Sequence, residues 1–447
     1  MLTLPSSAEP VFMSLSDAFS NPTFRHVLVL MIGAILTRGP HTITAILRTV
    51  QPLARSHFST YHRVLSRAAW SPWILQCAMA RLVLELVPLH RAVKVLVDET
   101  VTEHRGPKVY GKGCHRDGVR SSRHHTAFRW GHKWVVLAIA IPFPFARRVW
   151  ALPIMVALHL PEKVCKTQKR TYKPPAVLAR QMLAKLIHAF PERKFILVGD
   201  GGYATVELAA FCARRNHPLV SRLRPDAALY AAPPLPRKGK RPLLIGRRLD
   251  SPRQAARRKK AHWTKTRIPW YGGQRRRVQW LSDTAIWYRR GRPPIALRWV
   301  YLVDLEGKHE DTCLFTTDLR LSPQQIVALF ILRWSIEVTF EEVRAHLGFE
   351  TTRQWTQSAV LRTAPSLLGL FTVVSLIFAA HARHHKIRPA STAWYPKETI
   401  TFSDALATVR RLLWSHTILA HFTKNHQCAL IPPVLRNLIL DDLSMAA

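Results

Sequence analysis

A chain of 447 residues, 48% of them hydrophobic, can bury a large core, so a wholly disordered protein is excluded. Its 66 Lys and Arg against 27 Asp and Glu give a formal net charge of +39, which repels itself in a compact state unless a polyanion is near. Nucleic acid is the polyanion such a balance favours, with a membrane surface or ribosomal RNA as alternatives. The cysteines, at 77, 114, 165, 212, 313 and 428, form no Cys-x2-Cys pair, which leaves out a zinc ribbon and a secreted disulfide framework. They fit a reducing cytoplasm, and MLTLPSSAEP at the start lacks the basic and apolar regions of a signal peptide.

Residues 1–90 read as a helical DNA-binding domain. FRHVLVLMIGAILT and HTITAILRTV have helical apolar spacing, and FSTYHRVLSRAAW and SPWILQCAMARLVLELV follow, with Ser71-Pro72 marking a helix start. His62, Arg63 and Arg67 are candidate DNA contacts in a helix-turn-helix reader. A plain bundle with a solvated basic face fits the same residues.

Residues 91–224 alternate in type. VKVLVDETVT, WVVLAIAIPF and RVWALPIMVAL read as three strands, AVLARQMLAKLIHAF as a helix, and KFILVGDGG as a strand. A helix, YATVELAAFCARR, and a short strand, HPLVSRLR, complete an α/β layer fold with a mixed sheet. Asp98 and Asp200 close two of these strands, where α/β folds place ligand groups. Each Asp taken alone can equally be a turn former or a helix cap.

Residues 225–295 break the pattern. They are Pro-rich and very basic, with Trp263, Trp270, Tyr271, Trp280, Trp287 and Tyr288 interleaved. Aromatics are scarce in disordered linkers, so a β-rich insertion that touches DNA is expected, cations on phosphates and rings on bases. Residues 296–380 open with a hairpin, ALRWVYLVDLEG and DTCLFTTDL. One long helix is expected over residues 322–348, with Ser322 and Gln325 as a capping box and Gly348 as its stop. LLGLFTVVSLIFAA, residues 367–380, is shorter than the roughly 20 residues of a membrane span and reads as a buried core helix. Residues 381–447 are helical, with a break around 388–399.

On the helix at 322–348, about 100° per residue puts Phe330, Arg333, Glu337, Glu341 and Arg344 within an arc of roughly 80°. A solvated face with i, i+4 ion pairs would show the same stripe. Its flanks carry Trp334, Ile336, Val338 and Phe340, so the helix is expected to be substantially buried, and a charged stripe on a buried helix needs a partner or a task.

The spacing Phe330-x2-Arg333-x3-Glu337-x6-Arg344 resembles the Tyr-x2-Arg-x3-Glu-x6-Lys signature of insertion-sequence DDE transposases. Phe330 replaces the Tyr and Arg344 the Lys, keeping charge but not geometry. VDET at Asp98, VGDGGY at Asp200, HLGFETTRQW and LRTAPSLLGLF are similar to the same family, so the resemblance covers about residues 93–380.

The resemblance implies an RNase H-like catalytic core with a β-rich insertion, flanked by helical N-terminal and C-terminal regions. It implies that Asp98, Asp200 and Glu337 converge as catalytic residues and metal ligands for two Mg2+ ions, with Mn2+ possible in their place. Arg333 and Arg344 would hold DNA phosphate, while Phe330 would only pack. Glu99 beside Asp98, and Glu341 one turn from Glu337, are the competing carboxylates; the family pattern selects Asp98 and Glu337. Double-stranded DNA, a homodimer on it, no membrane, and a bacterial nucleoid-associated cytoplasmic location are the corresponding expectations. A nuclease or resolvase without strand transfer, and a non-enzymatic DNA-binding protein, are the alternatives.

Overall fold

The computed structural model describes residues 3–116, 121, 125–235, 242–270, 274–307, 309–391, 394, 396–419 and 432–445. Tyr271 and Cys428 lie outside the described residues.

The chain begins with five helices: α1 (Glu9–Met13), α2 (Asn21–Leu36), α3 (Ile43–Thr49), α4 (Phe58–Ser66) and α5 (Pro72–Leu84). The Thr42 hydroxyl caps α3 by accepting from the Ala45 N–H at 3.2 Å. Ser71 stands at the start of α5, as expected, but its side chain makes no capping bond. The helices α2, α3 and α4 pack on one another, and α5 lies against the sheet.

Six strands build the core: β1 (Val93–Glu103), β2 (Gly113–Arg116), β3 (Phe128–Ile141), β4 (Trp150–His159), β5 (Phe195–Gly199) and β6 (Leu219–Arg222). The short β2 has no apolar run and was not expected. β1, β3 and β4 form an antiparallel meander, while β5 lies parallel to β1 and β6 parallel to β5. Between them run α6 (Glu162–Thr167), α7 (Pro175–Ala189) and α8 (Val206–Arg214). The order β4-β3-β1-β5-β6, with helices on the crossovers, is the RNase H-like arrangement that the resemblance implies. Gly131 lets β3 approach β1, because a Cβ there would collide with the Thr102 carbonyl.

The basic segment adds β7 (Leu229–Tyr230), α9 (Pro252–Ala256), β8 (Thr264–Pro269) and β9 (Arg275–Trp287), followed by β10 (Ile295–Asp304) and β11 (Thr312–Thr316). β11 pairs antiparallel with β6, so these strands extend the central sheet rather than forming a separate one. The expected division at residue 295 falls between β9 and β10, which pair from Ile295↔Trp287 to Asp304↔Val278. The backbone ladder makes them one unit.

The aromatics of the insertion differ from expectation in role. Trp280 is buried, Trp263 packs on Tyr301, and Trp287 packs on Phe315. Alternation along a strand turns every second side chain inward, and in β9 that places Trp280 beside Val278 in the core.

The C-terminal part holds α10 (Pro323–Ile331), α11 (Trp334–His346), α12 (Gln357–Ala382), α13 (Phe402–Leu413) and α14 (Pro433–Ser444). The capping box of Ser322 and Gln325 and the left-handed Gly348 stand where expected. The single helix does not. It divides at Leu332 and Arg333, whose N–H groups donate to Leu329 and Phe330, three residues back. The physical reason is packing: α10 lies on β6 and β11, whereas α11 lies on β1 and β4. The apolar stretch at 367–380 is also longer than expected, being part of the 26-residue α12 that runs through Pro365. By length and composition α12 could cross a membrane. In the fold most of it is buried, against β4, α5 and α13. One contiguous apolar core reaches from the first helix to Ile418.

Candidate active site

One strand end and one mid-strand position create the site. Asp200 follows the end of β5. Asp98, expected to close its strand, lies within β1, which runs on to Glu103 because β3 stays paired with it, Asp98 opposite Val136. In the parallel pair the last partners are Val97 and Gly199, so Asp98 and Asp200 each stand one residue past the end of the ladder. Neighbouring strands run about 4.8 Å apart, which brings two carboxylates from distant sequence into one corner. Val95, Leu96 and Val97 are fully buried, and burial falls off at Asp98. An apolar strand thus delivers a carboxylate to the rim of the core.

The break between α10 and α11 delivers the third. Arg333 Nη1 donates to Asp98 Oδ2 at 2.5 Å and to Glu337 Oε1 at 2.8 Å. Those two oxygens are therefore no farther apart than the two bonds laid end to end. Burial alone would lower the Arg333 guanidinium, but the charges of Asp98, Glu337 and Asp200 outweigh it and hold it above its ordinary value. Burial pushes the Asp98 carboxyl up, to about 6; Arg333 and the Glu99 N–H oppose that, and Asp200 and Glu337 add to it.

Asp200 Oδ1 accepts from the Gly202 N–H at 2.9 Å, and its carbonyl accepts from Ser221 Oγ at 2.5 Å. It is a turn cap, the modest role weighed above, with its second carboxylate oxygen free of that duty. Glu337 is half exposed, at 50% of its side chain.

The competing carboxylates are placed apart. Glu99 faces the other side of the strand, where Lys133 Nζ lies 2.8 Å away and the Tyr203 hydroxyl 3.4 Å away. Glu341 is exposed one turn beyond Glu337. Arg344 donates to Thr100 Oγ1, to the Val101 carbonyl at 3.2 Å and to Glu350 at 3.2 Å, fastening α11 to β1. Phe330 is buried, with the guanidinium carbons of Arg333 and Arg222 each 5.8 Å from its ring centre.

Arg222 and Thr100 are the members of this corner that sequence reasoning missed. Arg222 ends β6 beside Gly201, and only the long-range pairing of β6 with β5 reveals it. The expected DNA contacts His62, Arg63 and Arg67 are exposed on α4 and its C-terminal end, and none touches these carboxylates.

A protein-family model described as DDE superfamily endonuclease matches residues 14–277. The chain belongs to this family. No curated protein matches it in sequence. The matched span contains Asp98 and Asp200 and ends before Glu337, so the third carboxylate of this family member rests on geometry.

The residues also meet the chemistry of a divalent metal. Among the described residues no three His, Cys, Asp or Glu side chains are gathered closely enough to hold an ion as they stand. Arg333, a cation, already bridges Asp98 and Glu337. Its Nε is buried without a hydrogen-bond partner, so the guanidinium is incompletely satisfied there. Hard carboxylate oxygens arranged about one positive centre are the donor set that Mg2+ or Mn2+ takes.

Proposed function

We propose that the chain is a DDE transposase, which cuts the ends of an insertion sequence and joins the freed 3′-hydroxyl to target DNA. The observation that carries this reading is the sharing of one Arg333 nitrogen by Asp98 and Glu337, with Asp200 one step past the same strand pair. On this reading Phe330, Arg333, Glu337 and Arg344 stand for the Tyr-Arg-Glu-Lys signature, and Asp98, Asp200 and Glu337 hold two divalent cations. What Mg2+ or Mn2+ supplies when bound to such carboxylates is activation of a water or 3′-hydroxyl and stabilisation of the leaving oxygen.

The protein's own groups position and neutralise. Asp98 is held by the Glu99 N–H at 2.8 Å and Asp200 by the Gly202 N–H, so both present fixed oxygens. Arg333 exchanges its carboxylate partners for a DNA phosphate, and Arg344, a third exposed at 32%, meets the next phosphate along. The exposed His62, Arg63 and Arg67 hold flanking duplex. A homodimer bringing two element ends together, in the bacterial cytoplasm at the nucleoid, completes the proposal.

Asp200→Asn tests it. Metal-dependent cleavage of element-end DNA should be lost while duplex binding stays within about threefold, because one carboxylate among many phosphate contacts adds little to affinity. A variant that still cuts removes Asp200 from the chemistry. The printed family description, an endonuclease, favours a second reading without joining. A pre-cut end offered to the wild-type protein separates the two, since only a transposase joins it to a second duplex.

A further inference from the structure

Of the insertion's tryptophans Trp280 is buried and Trp263, Trp270 and Trp287 are half-buried, while Phe128, Trp130 and Trp355 are among the large rings that stand in water elsewhere. Phe128 is 66% exposed, Trp130 58% and Trp355 60%. Phe128 and Trp130 open β3, and Trp355 lies between α11 and α12. Two backbone bonds hold the tryptophans: the His104 N–H donates to the Trp130 carbonyl at 3.0 Å, and the Tyr110 N–H to the Trp355 carbonyl at 2.9 Å. Lys112 Nζ sits 5.7 Å from the Trp130 ring centre and donates to the Gly106 carbonyl at 2.8 Å. Beside Trp355, residues 103–109 and 350–355 wall an open depression of about 800 Å³, and Lys112, which lies by the Trp130 ring, is bonded to Gly106 in that wall.

Its charge suits a polyanion. Arg105, Lys108 and Arg353 are exposed around it. The two acids in its walls are already engaged, Glu103 by Arg105 at 3.1 Å and Glu350 by Arg129 at 3.3 Å and Arg344 at 3.2 Å. The depression is linked to the site through β1 and Arg344. Arg344, bound to Glu350, reaches Thr100, and Glu103 lies five residues along β1 from Asp98. Five residues of strand span about 17 Å, which equals about five nucleotide steps at duplex spacing.

We propose that this surface is a stacking platform for unpaired nucleotides of a DNA strand end, engaged about five steps from the reacting phosphate. Cations alone serve a duplex, whose bases are already stacked on each other. Exposed ring faces among cations serve bases that have left the duplex. The proposal rests on the reading of Asp98 as a DNA-processing centre only for the direction in which the strand runs.

The test uses the full chain with excess EDTA, so that no cutting intervenes. The probes are a blunt duplex and the same duplex with a single-stranded extension of about six nucleotides carrying 2-aminopurine, long enough to cross the five steps. Wild type should bind the extended duplex more tightly and quench the 2-aminopurine. Trp130→Ala and Trp355→Ala should each weaken extended-duplex binding about tenfold, the size of one lost base stack, and relieve the quenching. Blunt-duplex binding should stay within about twofold, and Trp355→Phe should restore most of the loss.

Equal affinity for the two probes, or quenching unchanged in both alanine variants, overturns the platform. So does a result in which the substitutions split a dimer in sedimentation while extended-duplex binding is unaltered, because the rings then serve a second copy of the chain. Asp200→Asn should quench as wild type does. Cleavage failing with quenching intact would therefore sink the transposase reading alone, and quenching absent with cleavage intact would sink the platform alone.

Discussion

Replacing Asp98 by Asn should make the metal-free protein more stable while abolishing its activity. The Asp98 carboxyl is raised from 3.8 to about 6 in the fold. For an acid, a raised folded value means that the native state holds its proton more tightly than the unfolded chain does. The penalty is therefore absent below pH 3.8, grows between 3.8 and about 6, and is complete above that. About two pH units at 1.36 kcal/mol each make it about 3 kcal/mol at pH 7.5. The attraction of Arg333 is already contained in that net value, so removing the charge should recover the whole amount.

With an unfolding entropy of about 2.1 cal/mol/K per residue, a chain of 447 residues shifts by about 1 °C per kcal/mol. Asp98→Asn should then melt about 3 °C higher than wild type in EDTA at pH 7.5, and within 1 °C of it near pH 4. Differential scanning calorimetry at the two pH values measures this. Added Mn2+ should raise the wild-type melting temperature and leave the variant unmoved, since only the former binds the ion in its native state. A variant that melts lower than wild type at pH 7.5 would refute the reasoning, because Asp98 would then be held by the fold rather than imposed on it.

Glu337→Gln should lose cleavage by at least about a hundredfold, whereas Glu341→Gln, exposed and one turn away, should cut within about twofold of wild type; single-turnover nicking distinguishes them. Arg410 is 1% exposed and donates to the carbonyls of Ile35 at 2.7 Å, Met445 at 2.8 Å and Thr37 at 3.2 Å. Arg410→Ala leaves all three acceptors unpartnered and should cost about 3–5 kcal/mol in urea unfolding. His115, His132 and His159 are buried, and burial lowers each to about 4. They are neutral in both states above pH 6.5, so they change stability only below it, where the unfolded chain takes up protons that the fold refuses. Between pH 6.5 and about 4 each should cost up to about 1.4 kcal/mol per pH unit, far outweighing the opposite trend of Asp98; a flat urea midpoint from pH 7 to pH 5 would contradict this.

The strand and helix order of the core was readable because it rests on local patterns. VKVLV and KFILV are apolar runs of the length buried parallel strands need, with Asp98 directly after the first and Asp200 two residues after the second. The register that sets Asp98 beside Asp200 is a long-range fact, and no local pattern carries it. The joint at Leu332 and Arg333 was hidden for a related reason. It contains neither Gly nor Pro, so periodicity ran through it, and only the different strands beneath α10 and α11 divide them. The insertion's tryptophans misled in the opposite direction. Their interleaving with arginine resembled a nucleic-acid surface, but strand alternation turned Trp280 inward and left Arg275 and Arg277 outside. The exposed rings, Trp130 and Trp355, stand beside strand and loop residues that gave no compositional signal.

Arg333 connects these observations. A buried carboxylate needs a partner, and two further acids nearby make its ionisation worse. In the fold that partner is the guanidinium Nη1, shared between Asp98 and Glu337, while the neighbouring Nε goes unsatisfied. A structural ion pair would have little reason to leave a buried donor empty or to keep one of its acids half exposed. A counter-ion that must let go has reason for both: its hold is strong enough to keep Asp98 folded and incomplete enough to be exchanged. On the proposed reading, divalent cations take over the carboxylates while DNA phosphate receives the released arginine. Each exchange makes the other easier, so metal and DNA should bind with positive coupling. If Mn2+ affinity, measured on the wild-type protein with element-end DNA whose scissile linkage is a non-hydrolysable bridging phosphonate, is no higher with that DNA than without it, Arg333 is a fixed strut and the exchange does not occur.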